Sequence, residues 1–316
     1  MNTTAAAATL WSALRHGARL SHRQAVLGMV VCTLLWSIAG VVSRHFEAAR
    51  GFEVTFWRAF FTMLALVAGL TWLRGPAPLW RALRDGGVPL WVSGVCWCVM
   101  FVAFMLALTM TTVANVLITM ATGPLFTAIA ASLLLRHRLP RRTWAAIVVA
   151  GVGIAWMFGS EVQASGPQHL LGITVALGVP LAAATNWTLL QSLGHGESRG
   201  GGARDMLPAV LLGAALASAV TLPAALPLVA TAHDLALLAL LGVVQLALPC
   251  VLAVSIARTL SAPEIALLGL LEVVFGVAWA WWGAGEAPAG AVLAGGCLVL
   301  GALAANETLA LLRRRG

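Results

Sequence analysis

Ten apolar stretches run along nearly the whole chain, each separated from the next by a short loop rich in polar, glycine or proline residues. They cover 26–43, 54–73, 88–109, 112–135, 143–159, 171–192, 206–230, 235–257, 263–284 and 289–311. Roughly 18 to 25 residues of helix cross about 30 Å of hydrocarbon, so each stretch reads as a transmembrane helix. Apolar and polar positions do not alternate at period two, which argues against a porin-type barrel. The pattern predicts an all-α polytopic membrane protein with ten transmembrane helices.

The pattern also repeats. Sliding 113–155 onto 262–304, a shift of 149 positions, puts Asn115 on Glu264, Gly123 and Pro124 on Glu272 and Val273, Phe126 on Phe275, and His137 on Glu286. Repeated spans with breakers or ionisable groups at mid-depth are how secondary transporters build a substrate site between two halves. Five spans per half is an odd number, so the second half enters the membrane from the opposite side. Two inverted five-helix repeats around a central cavity are expected. The expected boundaries are an N-terminal cytoplasmic segment 1–25, a first repeat 26–159, a linker 160–170, a second repeat 171–311 and a basic tail 312–316. Small residues in spans five and ten, among them Ala146, Gly151, Gly153, Gly290 and Gly295, point to close helix packing rather than substrate contact. The polar stretch from His195 to Asp205, with Gly200, Gly201 and Gly202, is expected to be a mobile loop.

Composition strengthens this reading and charge orients it. Apolar residues make up 60% of the 316 positions and charged residues 9%, with a mean hydropathy of +0.93, outside the range of soluble domains. The formal charge of +8 does not mark a nucleic-acid partner, because the 19 basic side chains are all arginines spread over separate short segments. With a cytoplasmic N-terminus, all but Arg44, Arg50 and Arg58 fall in inner loops or ends, so both termini are expected in the cytoplasm. A short apolar stretch, Ala5 to Leu14, precedes Arg15, Arg19 and Arg23, the reverse of a secretory signal, and reads as an interfacial helix. The five cysteines all fall inside spans without a neighbouring His or carboxylate, so no metal or redox centre is expected.

Candidate chemistry gathers at mid-depth. Glu272 sits near the centre of span nine, where an ionisable side chain costs a few kcal/mol and turns inward. Gly269 and Gly276 flank it at i−3 and i+4 and clear a groove, and Trp279 follows on the same face. It reads as a proton-exchanging group, a hydrogen-bond donor to substrate, or a structural tie across helices. In span four Asn115, Thr119, Gly123 and Thr127 recur every four residues as a polar stripe, and Pro124 frees a backbone carbonyl. Gln245, one turn before Pro249, and Asn186, beside Trp187, follow similar logic. Arg58, about one turn inside span two, either snorkels to the headgroups or turns inward to hold a carboxylate through paired hydrogen bonds. Trp97, Phe101 and Phe104 form one face, and Trp36 lies deep in span one, hinting at a pocket for an apolar or aromatic group. No zinc-protease, nucleotide-loop or nucleophile signature is present, and Ser165–Gly166 lies in a loop without a nearby base; the chain is not expected to be an enzyme, and no cofactor is expected.

Leu35, Trp36 and Ser37 in span one, Phe56 to Ala59 in span two, and the Leu271 to Phe275 and Gly285 to Pro288 stretches resemble the drug/metabolite transporter superfamily in its ten-span EamA form. The likeness covers about 26 to 311. Gly123 stands where that family has a glutamate in span four, Glu272 has no proline after it, and His137 stands in place of the first loop glutamate. Within the family the Trp-rich first half is most similar to the aromatic amino acid exporters of YddG type. The resemblance implies a bacterial inner-membrane exporter of amino acids, aromatic and other neutral ones foremost, or of related small metabolites, working by alternating access. Trp36, Ser37, Arg58, Trp97, Thr119, Asn186, Gln245 and Glu272 would line the path. A proton-coupled drug exporter using Glu272, an enzyme acting on lipid-linked substrates and a passive channel are the alternatives. Partners are a small-molecule substrate and the bilayer, and oligomeric state is open.

Overall fold

The structure, a computed structural model, describes residues 20–134, 141–162, 167–198 and 205–285, and single positions between 287 and 305. Every regular element among them is helical. The expected N-terminal interfacial helix, His137, Glu286, Gly200 to Gly202 and the basic tail lie outside the described residues.

Eight helices or helix pairs are long and apolar enough to cross a membrane. They are α1 (His22–Ser43), α2 (Gly51–Arg74), α4 (Gly87–Met110), α5–α6 (Val113–Met120 and Gly123–Leu134), α8–α9 (Pro167–Ala176 and Gly178–Ser198), α10 (Leu207–Ala225), α11–α12 (Ala232–Leu240 and Leu248–Ile256) and α13–α14 (Ala262–Gly269 and Leu271–Ala284). The fifth expected span falls on α7 (Arg141–Val162), and the tenth on the partly described stretch 287–305. The helices overrun several sequence boundaries. α1 starts at His22 because Ser21 and Gln24 form a capping box, with Ser21 Oγ accepting from Gln24 N at 3.3 Å. α9 runs on through Ser198, so the polar stretch after it begins later than its composition suggests. α10 stops at Ala225, where Leu226 turns extended ahead of Pro227. One short helix has no counterpart in the hydrophobic pattern: α3 (Pro76–Asp85), opened by Pro76 and without a buried residue, links α2 to α4 along the surface.

Spans four and nine break at equivalent places. α5 and α13 are both eight residues long, capped by Thr112 and Ser261, and α6 and α14 begin two or one residues after them. At both breaks the backbone tightens to i→i+3 bonds, Ala121 N to Ile118 O and Leu270 N to Leu267 O, each at 3.1 Å. Pro124 accounts for the first break by removing a donor. The second forms without a proline, just after Gly269, a residue of low helix propensity. α5 packs on α14 and α6 packs on α13. This crosswise pairing, first half against second half, is how two antiparallel spans meet. The approach is close: a Cβ on Gly276 would fall 2.5 Å from Leu117 Cδ1.

Around that crossing, α4 and α10 pack against each other and α10 also against α2, while α1 runs along α14 and α9 along α4 and α6. A Cβ on Gly153 of α7 would stand 3.1 Å from the Gly295 carbonyl oxygen, so the fifth span meets the tenth through small residues. Two carboxylates tie the connections at one end of the bundle. Asp234, fully buried, accepts from Glu47 N, Ala48 N and Ala49 N at 2.7, 2.9 and 2.9 Å. Glu53 accepts from Val229 N and Ala230 N at 2.7 and 2.8 Å. The loop between α1 and α2 is thereby held by the start of α11, and the loop before α11 by the start of α2.

Candidate functional site

Between the two broken spans and helices α1, α2, α4, α9 and α12 lies a cavity of about 130 Å3. At roughly 10–15 Å3 for each water-sized sphere it has room for about ten non-hydrogen atoms. Its walls are mainly apolar: Trp36, Trp97, Phe101, Phe104 and Trp187 supply aromatic surface, and Met29, Met100 and Met120 adaptable side chains. The polar groups are few, namely Arg58, Thr127, Gln245 and Glu272.

Arg58 is 1% exposed and turned inward. α2 begins at Gly51, earlier than its hydrophobic run, which puts Arg58 two turns into the helix. Its Nη1 donates to Gln245 Oε1 at 3.2 Å and its Nη2 to the Phe101 carbonyl at 2.9 Å, and the guanidinium lies 5.6 Å from the Phe104 ring centre. Both acceptors are neutral. Arg58 Nε is buried without a partner.

Gln245 is delivered to Arg58 by an irregular backbone. Between α11 and α12 the residues Leu241–Ala247 form a π-helix, a feature that concentrates at functional sites. Pro249 cannot donate to a carbonyl one turn back, and the wider winding ahead of it accommodates that loss. The same segment is seamed to α2: Thr62 Oγ1 donates to Gly242 O at 2.9 Å, and a Cβ on Gly242 would stand 2.8 Å from Arg58 O. Gln245 Nε2 then donates to Trp36 O at 3.1 Å, so one amide bridges α2 to α1.

Glu272 lies in the first turn of α14, next to the break, where the helix dipole favours a carboxylate. It is 8% exposed, faces the cavity beside Gly269, and has no ion pair or hydrogen bond within the described residues. Two further cavity residues keep unspent hydrogen-bonding atoms, Trp97 Nε1 and Thr127 Oγ1. Leaving one such buried group unmatched costs about 1–3 kcal/mol. Among the described residues the cavity thus gathers Arg58 Nε, Trp97 Nε1 and Thr127 Oγ1 without a hydrogen-bond partner, beside the Glu272 carboxylate.

Of the eight residues singled out in the sequence, Trp36, Arg58, Trp97, Gln245 and Glu272 line the cavity. Ser37, Thr119 and Asn186 are buried elsewhere. Ser37 Oγ accepts from Trp279 Nε1 at 3.1 Å, tying α1 to α14. Thr119 Oγ1 donates to Asn115 O at 2.8 Å within α5. Asn186 Oδ1 accepts from Ser93 Oγ at 2.6 Å, joining α9 to α4. The polar stripe of span four is thus split by its own break: Asn115 and Thr119 bond locally, whereas Gly123 and Thr127 reach the cavity. Gly276, expected to clear space for Glu272, is filled by Leu117 instead. Trp187, one position from Asn186, was the cavity residue of span six; it stands edge-on to Trp97 with ring centres 5.6 Å apart.

A scan against protein-family models matches residues 23–159 to the EamA-like transporter family. That match covers α1 through most of α7, and the broken span of the second half repeats the geometry of the one inside it. No curated protein matches in sequence. One solved structure, described only as the crystal structure of a protein, aligns over 95% of this chain and 100% of its own with a TM-score of 0.69 at 18% identity; the likeness is one of fold.

Proposed function

We propose that this chain is a membrane transporter of the EamA-like, drug/metabolite kind, and that it exports neutral amino acids, those with aromatic or large apolar side chains foremost, or closely related metabolites, from the bacterial cytoplasm across the inner membrane. One observation carries the reading: a mainly apolar, aromatic-walled cavity holds one arginine and one carboxylate that act on each other through space but form no ion pair or hydrogen bond among the described residues. A compact zwitterion with an apolar side chain matches both the charges and the walls, and room for about ten non-hydrogen atoms suits an amino acid. Trp36, Arg58, Trp97, Gln245 and Glu272 contact substrate, while Ser37, Thr119 and Asn186 act through packing. The crosswise pairing of α5–α6 with α13–α14 supports two inverted repeats that alternate access to the cavity from either side. The arginine distribution supports cytoplasmic termini.

Counterflow of labelled amino acids into liposomes holding the purified protein tests this, with phenylalanine and leucine expected to exchange. Absence of flux for all twenty amino acids, with flux of another metabolite, would overturn the substrate. The unpartnered Glu272 carboxylate also favours a second reading, proton-coupled export. It requires that Glu272→Gln abolish the dependence of flux on a pH gradient.

A further inference from the structure

We infer that Gln245 sets the charge preference of the cavity: it holds Arg58 in place without neutralising it, so that the site selects molecules carrying both a carboxylate and an ammonium group. The inference rests on the transport reading above and deepens it by assigning the two ends of the substrate and the residue that decides between charge classes.

The argument starts with what surrounds Arg58. Two of its N–H groups are taken, and both acceptors are uncharged: the Gln245 amide oxygen at 3.2 Å and the Phe101 carbonyl at 2.9 Å. A guanidinium has five N–H groups in a planar fork, so three remain, and Nε has no acceptor among the described residues. The orientation of the Gln245 amide is fixed by chemistry. Its nitrogen donates to Trp36 O, and turning the amide over would set an NH2 group against the guanidinium and an oxygen against a carbonyl. The π-helical segment and its seam to α2 at Gly242 and Thr62 lock the register in which this contact is made.

A glutamate at this position would hold Arg58 as well as glutamine does. It would also supply the counter-charge from inside the protein, with no need of a ligand. Glutamine fixes the cation without an ion pair, so that the one carboxylate acting on Arg58, Glu272, does so through space across the cavity rather than by direct contact. Glu272 lines the same cavity with its carboxylate unpartnered. The substrate carboxylate therefore docks on the remaining Arg58 N–H groups and the substrate ammonium on Glu272, while Trp97 and Phe104 receive the side chain. Changing Gln245 to glutamate pairs Arg58 internally and leaves Glu272 as the uncompensated charge, which turns the preference toward amines.

Three labelled probes sharing one phenyl group test this in proteoliposomes: L-phenylalanine, phenethylamine and 3-phenylpropionate. The wild-type protein is expected to move phenylalanine at least ten-fold faster than either of the others. In Gln245→Glu, phenylalanine flux falls at least ten-fold and phenethylamine flux rises above its wild-type value. Gln245→Leu, which frees Arg58 without adding charge, raises the KM for phenylalanine but keeps the phenylalanine-to-amine ratio. A purely structural role for Gln245 would lower all three fluxes together and leave that ratio unmoved in the glutamate variant, and this result overturns the proposal. So does a wild-type protein that carries phenethylamine as fast as phenylalanine, or a leucine variant that gains amine transport. Wild-type flux of leucine or phenylalanine with the wrong charge selectivity sinks the inference alone; no flux of any amino acid sinks the function as well.

Discussion

The broken span α5–α6 presents Gly123 and Thr127 to the cavity, whereas its counterpart α13–α14 presents Gly269 and Glu272. Caps, lengths and breaks correspond at a shift of 149 positions, and each first half packs on the other's second half. The difference teaches where duplication stops. Backbone geometry, which sets how the two broken spans fit together, is alike in both. The charged lining of the cavity is not: the carboxylate is on one side only, and Arg58 in the first half has no cationic equivalent in the second, where the shift leads to Leu207.

The largest effect that tests this contrast is on transport. Glu272→Gln removes one charge-assisted contact to the substrate, about 1.5–3 kcal/mol, and lowers amino acid counterflow roughly ten- to hundred-fold. Adding Gly123→Glu to that variant is expected not to restore flux, since Gly123 lies across the cavity on another helix. Recovery to half of the wild-type rate would make the two copies chemically interchangeable and break the comparison. A smaller effect concerns the crossing itself. Gly276→Leu forces a side chain into Leu117 and is expected to destabilise the fold by about 1–3 kcal/mol, read as a lowered unfolding midpoint in detergent. Gly269→Ala, with no atom within 4 Å of the new Cβ, does not lower that midpoint and is expected to raise it slightly through helix propensity. Equal losses from the two would deny the close approach. Smallest are the caps: Thr112→Ala and Ser261→Ala each cost about 1 kcal/mol in chemical unfolding. A wide disparity between them would show that the two half-spans do not carry equivalent loads.

Much of the architecture was legible because burial in lipid demands long apolar helices, and because breakers recur at a fixed shift. The ionisable pair Arg58 and Glu272 was legible for the same reason, since charges at mid-depth are costly enough to stand out. Polarity alone does not separate the candidates that line the cavity from those buried beside it. Ser37, Thr119 and Asn186 differ from Gln245 only in what stands opposite them, and a hydroxyl that bonds back to its own helix looks the same in sequence as one that meets a ligand. Thr127 and Trp187 were hidden by the converse problem. The break between α5 and α6 resets the helical phase, so a stripe extrapolated from Asn115 cannot say which member faces inward. Nothing in the apolar run Leu241–Ala247 announced a π-helix, and the grip of Asp234 and Glu53 on distant loops depends on backbone N–H groups that no side-chain pattern records.

The π-helical turn makes the contact between Gln245 and Arg58 depend on chain length as well as on side-chain identity. A π-turn is what remains when one amino acid is inserted into an α-helix and the surrounding packing resists displacement. Excising a single position from 241–247 would return the stretch to regular winding and rotate everything on one side of it by about 100° relative to the other. Gln245 would then swing off its arginine with no substitution at either residue, so a relative of this chain that is one codon shorter here is expected to read its cargo by different contacts.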